Sequence, residues 1–206
     1  MKKIYTLLFV LLLTVPRVVH AQFTATFGTA TTATTIQGNA GAPMSYGNAY
    51  SYVEQIYRAS ELTAANVPAG ATITSIWFYN ATGATTMSNL VTYMGGRSSE
   101  YFSGTTDWTP VSALIAVDSG NWVTTDTGWF EIQLDVPYVW DGVSNITIGV
   151  SFRNPHSDYA TNNPNCGYRY TTQGTGNNAH LRRLNASDIN YCYPTSSIAG
   201  TNSPNR

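Results

Sequence analysis

Asn145-Ile146-Thr147-Ile148-Gly149-Val150-Ser151-Phe152-Arg153 alternates without a break. Successive side chains of a strand point to opposite faces, so Ile146, Ile148, Val150 and Phe152 share one side. Asn145, Thr147, Gly149, Ser151 and Arg153 share the other. Upstream, Phe130, Ile132, Leu134 and Val136 alternate in the same way with Glu131, Gln133 and Asp135. Both stretches read as strands with one face buried and one face wet. Working outward, the same reading expects strands at residues 50–57, 73–80, 89–94, 113–117 and 167–172. Between them stand turn signals: Thr82-Gly83, Gly95-Gly96, Ser119-Gly120, Asp141-Gly142 and Asn154-Pro155. One short helical turn is expected at residues 59–65, with Ser60 in place to cap it. Strands separated by turns, with no strand–helix–strand rhythm, predict an all-β fold: an antiparallel β-sandwich, jelly-roll or galactose-binding-like, with long loops. Residues 22–46 fit the pattern less well, with residues 38–43 read as a loop crossing the sandwich. Residues 154–206 are weakly patterned, and residues 195–206 look like an unfinished tail.

The composition agrees. Charged residues are 10% of the chain, against about 25% in an average globular domain. Aromatic residues reach 13%, alongside abundant Val, Ile and Thr. Disordered chains lack those residues and pleated surfaces favour them.

The N-terminus predicts export. Lys2 and Lys3 precede an apolar run, and Val19-His20-Ala21 supplies a cleavage end, so residues 1–21 read as a signal peptide cut before Gln22. The run is shorter than the roughly 20 residues a membrane-spanning helix requires. The expected mature protein is a single β-sandwich domain over residues 22–206, secreted or held at the cell surface. Cleavage removes Lys2, Lys3 and Arg17 and no acid, leaving 7 basic residues against 11 acidic ones, a net charge of −4. With no basic stripe to neutralise phosphates, nucleic acid is excluded as a partner. In an exported chain, Cys166 and Cys192 read as a disulfide. Closing a loop of that length contributes about 3 kcal/mol on a chain-entropy estimate.

The run Tyr50-Ser51-Tyr52-Val53-Glu54-Gln55-Ile56-Tyr57-Arg58-Ala59-Ser60-Glu61-Leu62 resembles the opening of a β-sandwich module of secreted and cell-surface proteins of Bacteroidetes bacteria. Ile73-Thr74-Ser75-Ile76, Val91-Thr92-Tyr93-Met94-Gly95 and Thr105-Thr106-Asp107-Trp108-Thr109-Pro110-Val111 continue the resemblance. Thr127-Gly128-Trp129, Trp140-Asp141-Gly142 and Asn145-Ile146-Thr147-Ile148-Gly149-Val150 complete it, over roughly residues 23–153. The resemblance implies a non-catalytic, adhesin-like N-terminal module followed by other modules. Two departures stand out. The family's last strand begins where this chain reads Ser203-Pro204-Asn205-Arg206, and the cysteine pair is not part of the family pattern. The expectations that follow are a truncated product, one piece of a longer reading frame, or a domain whose last edge strand is donated by a partner.

Candidate binding residues come from strand parity. Trp77 and Tyr79 lie opposite Ile76 and Phe78, while Trp129 shares parity with Glu131 and Gln133. Exposed aromatics flanked by amides and carboxylates stack on sugar rings and hydrogen-bond their hydroxyls. Trp77, Tyr79, Trp129, Glu131 and Gln133 are therefore the expected ligand-binding set. Trp108 and Trp140 read as core or loop anchors. Structural calcium is the one cofactor considered, with Asp107 and Asp141 as loop ligands and Asp118, Asp126 and Asp158 near other turns. Turn geometry is the competing explanation for all of them. No nucleophile elbow or close-spaced metal-binding pair is present, and the mature histidines, His156 and His180, stand alone. Glu131 and Asp135 would stand about 13 Å apart at strand rise, beyond the usual spacing of a glycosidase pair. The expectation is an exported non-catalytic surface or adhesion module that binds carbohydrate or another cell-surface polymer. Its rivals are a purely structural spacer within a larger surface protein and a secreted glycan-acting hydrolase.

Overall fold

Both alternating stretches are strands, and the chain builds nearly everything else from strands as well. In the computed structural model the elements run β1 (Thr32–Thr34), β2 (Tyr50–Tyr57), α1 (Ala59–Ala64), β3 (Thr72–Asn80), β4 (Thr85–Arg97), a 3-10 turn (Val111–Ala113), β5 (Leu114–Thr124), β6 (Gly128–Val139), β7 (Asn145–Arg153), β8 (Tyr168–Tyr170), β9 (His180–Asn185) and β10 (Thr201–Ser203). The structure describes residues 23–28, 32–34, 43, 49–81, 83–153, 168–171, 173–174, 176–185, 193–194 and 198–204. The expected leader, both cysteines, His156 and Asp158 lie outside the described residues.

Every strand pairing is antiparallel. One sheet has the order β1-β8-β3-β6 and the other β10-β9-β2-β7-β4-β5. Without β9 and β10, the orders 1-8-3-6 and 2-7-4-5 are those of an eight-stranded jelly roll, two Greek keys wound into a sandwich. β9 and β10 extend the second sheet past β2, so the weakly patterned C-terminal third supplies two strands the sequence did not announce. Residues 201–203, read as tail, pair with Arg182, Leu181 and His180.

The core between the sheets is the apolar side of the alternation. Ile146, Ile148, Val150 and Phe152 of β7 meet Leu90 and Met94 of β4 and Ile132 and Leu134 of β6, with Trp122, Trp140 and Tyr168 filling the ends. Fully burying one such aliphatic side chain is worth roughly 1.5–3 kcal/mol.

Four local expectations are corrected. β7 is not half-buried: Asn145, Thr147, Gly149 and Ser151 on its second face are buried too, because the β4–β5 connection folds back over that face. Gly95-Gly96 and Ser119-Gly120 are not turns but lie inside β4 and β5. At Gly95 a side chain would collide with the Ala113 carbonyl, so glycine marks a close backbone approach rather than a bend. Val136 is exposed although Leu134 and Tyr138 on either side of it pack toward the core, because it lies in the stretch of β6 that bulges where the β3–β6 register slips between Ile73 and Ser75. Ser60 does not cap α1. Arg58 is the N-cap residue; Glu61 accepts its backbone N–H at 3.0 Å, and Asn145 Oδ1 accepts the Ala59 N–H at 2.9 Å.

Candidate functional site

Cross-strand register assembles the aromatic set on one surface. On β3 and β6, Trp77 lies opposite Glu131, Tyr79 opposite Trp129, and Ser75 opposite Gln133. Phe78 and Phe130 point the other way, into the core. Alternation thus places Trp77, Tyr79, Trp129, Glu131 and Gln133 together on the outer face of the four-stranded sheet, as their parity requires. Trp77 is 46% exposed and Trp129 57% exposed. These are large values for tryptophan, a side chain that is highly buried on average.

The five residues are not equivalent. Trp77 Nε1 donates to the Ser75 hydroxyl at 3.3 Å, and Gln133 Nε2 donates to the Thr74 carbonyl at 2.9 Å, which ties both to β3. Tyr79 is half-buried and meets Trp129 edge to face, ring centroids 5.6 Å apart and planes at 87°. Its own face is taken by Arg169 of β8, whose guanidinium lies 3.8 Å from the ring centroid. Tyr79 therefore props the platform, while Trp77 and Trp129 present the open surface. Arg169 was missed from sequence: its outward direction follows from the burial of Tyr168 in the core, which only the structure shows. The residues around β8 lacked enough alternation to make that parity legible.

The six-stranded sheet treats its outer face in the opposite way. Tyr52 and Ile56 of β2 and Leu181 of β9 form a second apolar cluster there, closed by Phe102 and Trp108 from the β4–β5 connection. Trp108 Nε1 donates to the Ile198 carbonyl at 2.8 Å, and the Phe102 N–H donates to the Asn178 carbonyl at 2.7 Å. Inside this cluster sits Glu54, fully buried. Its carboxylate accepts the Tyr52 hydroxyl at 2.8 Å and the Thr109 N–H at 2.9 Å. Burial pushes the Glu54 carboxyl above its ordinary value, with the Thr109 and Tyr52 hydrogen bonds and the Arg97 charge pulling back. The Arg183 guanidinium lies 5.1 Å from the centroids of both Tyr52 and Trp108. A perturbed carboxyl is a common mark of an active site. This one is sealed under a loop with both oxygens occupied, and it holds that loop down.

The loop aspartates serve their own turns. Asp107 accepts the Ser103 N–H and hydroxyl and pairs with Arg97 at 3.1 Å. Asp141 accepts from the Ser144 hydroxyl and from the Val143 and Ser144 N–H groups, with the Ser144 hydrogen bond first among the causes holding its pKa below the ordinary value. Among the described residues no group of three or more His, Cys, Asp and Glu side chains is placed to hold a metal ion. A shallow depression of about 280 Å³ lies between residues 26–28 and α1, lined by Phe27 and Glu61 among others. None of the aromatic set lines it.

Fold and surface together define a two-sheet jelly roll with one face sealed and the other bearing an open aromatic platform. No family model and no curated protein matches the chain. Among solved structures it is similar to the crystal structure of the cysteine protease and lectin-like domains of Cwp84, a surface layer associated protein of Clostridium difficile. The identity is 12%, the TM-score 0.40, and the match covers 78% of this chain and 31% of that one. The chain thus spans under a third of the length of the structure it matches. No helix among the described residues is long and apolar enough to cross a membrane.

Proposed function

We propose that this chain is an exported, non-catalytic surface module that binds carbohydrate or another cell-surface polymer on the outer face of its four-stranded sheet. The observation that carries this reading is the exposure of Trp77 and Trp129 on one face, 46% and 57%, beside the exposed Glu131 and Gln133. An indole offers a flat apolar surface to the C–H face of a pyranose, and the carboxylate and amide offer partners for its hydroxyls. Contact of this kind depends on shape and stacking rather than net charge, and it needs no deep pocket.

A broad glycan array, run with calcium and with chelator on residues 22–206, tests the reading. Wild type is expected to bind a subset of glycans with or without calcium. Trp77→Ala and Trp129→Ala are each expected to weaken binding about tenfold or more, the equivalent of roughly 1.4 kcal/mol. Loss with chelator alone would move the site to the loop aspartates. Silence from a folded sample would favour the spacer reading, in which a neighbouring module covers the two tryptophans.

A further inference from the structure

We infer that the platform selects glycans carrying carboxylate groups, with a uronic-acid carboxylate seated on Arg169 while a neighbouring sugar ring stacks on Trp129. The inference rests on the binding reading above and names its ligand class.

Arg169, Tyr79 and Trp129 form one row across β8, β3 and β6, because Asn80 pairs with Tyr168 and Tyr79 pairs with Trp129. Arg169 is exposed and lies over the Tyr79 ring. Among the described residues it makes no ion pair, whereas Arg58 pairs with Glu61 and Arg97 with Asp107. A guanidinium lying on an aromatic face is held in place by its flat side and keeps its in-plane N–H groups available. Those groups form a fork that matches a carboxylate with two parallel hydrogen bonds. The stacking has already fixed the side chain, so little further rotamer entropy is lost when a ligand arrives.

The spacing sets the size of the ligand. The Arg169 guanidinium lies 3.8 Å from the Tyr79 ring centroid and the Trp129 ring 5.6 Å from it, so the two groups lie within about 10 Å of each other, across strands spaced about 4.8 Å apart. A short oligosaccharide running across the strands places a carboxylate on Arg169 and a neighbouring ring on Trp129. Charge limits the ligand from the other side. Glu131 and Asp135 share the face and are exposed, so a densely charged polyanion meets repulsion beyond Trp129. The favoured ligand is sparsely acidic, with its carboxylate at the β8 end and its hydroxyls toward Glu131 and Gln133.

The test uses a uronate-containing oligosaccharide and its carboxyl-reduced counterpart, which differ only in that group. Affinities are measured by calorimetry on the secreted protein, with folding checked by circular dichroism. Wild type is expected to bind the acid about tenfold more tightly or better, and rising salt is expected to shrink that ratio. Arg169→Gln should bring the ratio to about one, and Arg169→Lys, which keeps the charge without the fork, should restore part of it. Equal binding of acid and neutral forms by wild type, or an acid preference that survives Arg169→Gln, overturns this inference and leaves the platform standing. Binding of both forms that is unchanged in Trp129→Ala, or of neither form by a folded sample, overturns the platform itself.

Discussion

Glu54 shows how much can hang on one side chain. It stands between Tyr52 and Ile56 on one face of β2, has no exposed surface, and gives both carboxylate oxygens to donors of the covered face. Removing it leaves the Thr109 N–H and the Tyr52 hydroxyl buried without an acceptor, so Glu54→Ala should cost about 3 kcal/mol in denaturant unfolding. Its pH dependence has a definite sign. Burial raises the folded-state value above the ordinary 4.5, so the folded protein holds the proton more tightly than the unfolded chain. That contribution is complete below 4.5 and is lost as pH rises through the folded value. Glu54→Gln carries no titrating group there, so its stability should lack this decline. Melting wild type and Glu54→Gln side by side across that window checks it, and parallel curves would show that the carboxyl is not linked to folding.

At the scale of elements, the β4–β5 connection decides which face of the sandwich is closed. It is held by Trp108, Phe102 and the Glu54–Thr109 bond, with the Gly200 N–H donating to the Thr105 carbonyl at 2.6 Å. Trp108→Ala should cost about 3–5 kcal/mol as a buried aromatic truncation. The loss should be local: amide exchange should speed first in residues 98–110, β9 and β10, while β6 and β7 keep their protection. Uniform acceleration would instead make the loop part of one cooperative core. The same loop explains which strands were legible in sequence. β6 shows its alternation openly because one face is wet, and the aromatic set followed from that parity. β7 gave its span but not its environment, since Thr147 and Ser151 are small polar residues that either water or a polar covering loop would accept. β9 hid altogether: Arg183 is buried on the covered face beside Leu181, so charge no longer marks the solvent side. Arg169 went unread for a related reason, because β8 is three residues long and offers too little alternation to fix a face.

For the whole molecule, the contrast between the two outer faces separates binding from packing. The six-stranded sheet covers its aromatics with a loop and satisfies its buried carboxyl, whereas the four-stranded sheet leaves Trp77 and Trp129 in solvent. Aromatics that stabilise the fold should weaken it when truncated, and aromatics kept for a ligand should not. Trp77→Ala should therefore change stability by no more than about 0.5 kcal/mol, as exposed substitutions do. Trp129→Ala should cost up to about 1 kcal/mol, from its edge contact with Tyr79. Ile132, on the same strand as Trp129 but 4% exposed and facing the core, is the control: Ile132→Ala should cost about 2–5 kcal/mol. In a domain of this size each kcal/mol moves the melting temperature by about 2–4 °C, so thermal unfolding resolves the three variants. If truncating either tryptophan costs as much as Ile132→Ala, the aromatic face belongs to the folding core, and the spacer reading gains. If the tryptophans fall away almost free of cost, they do not serve the fold, as the binding reading requires.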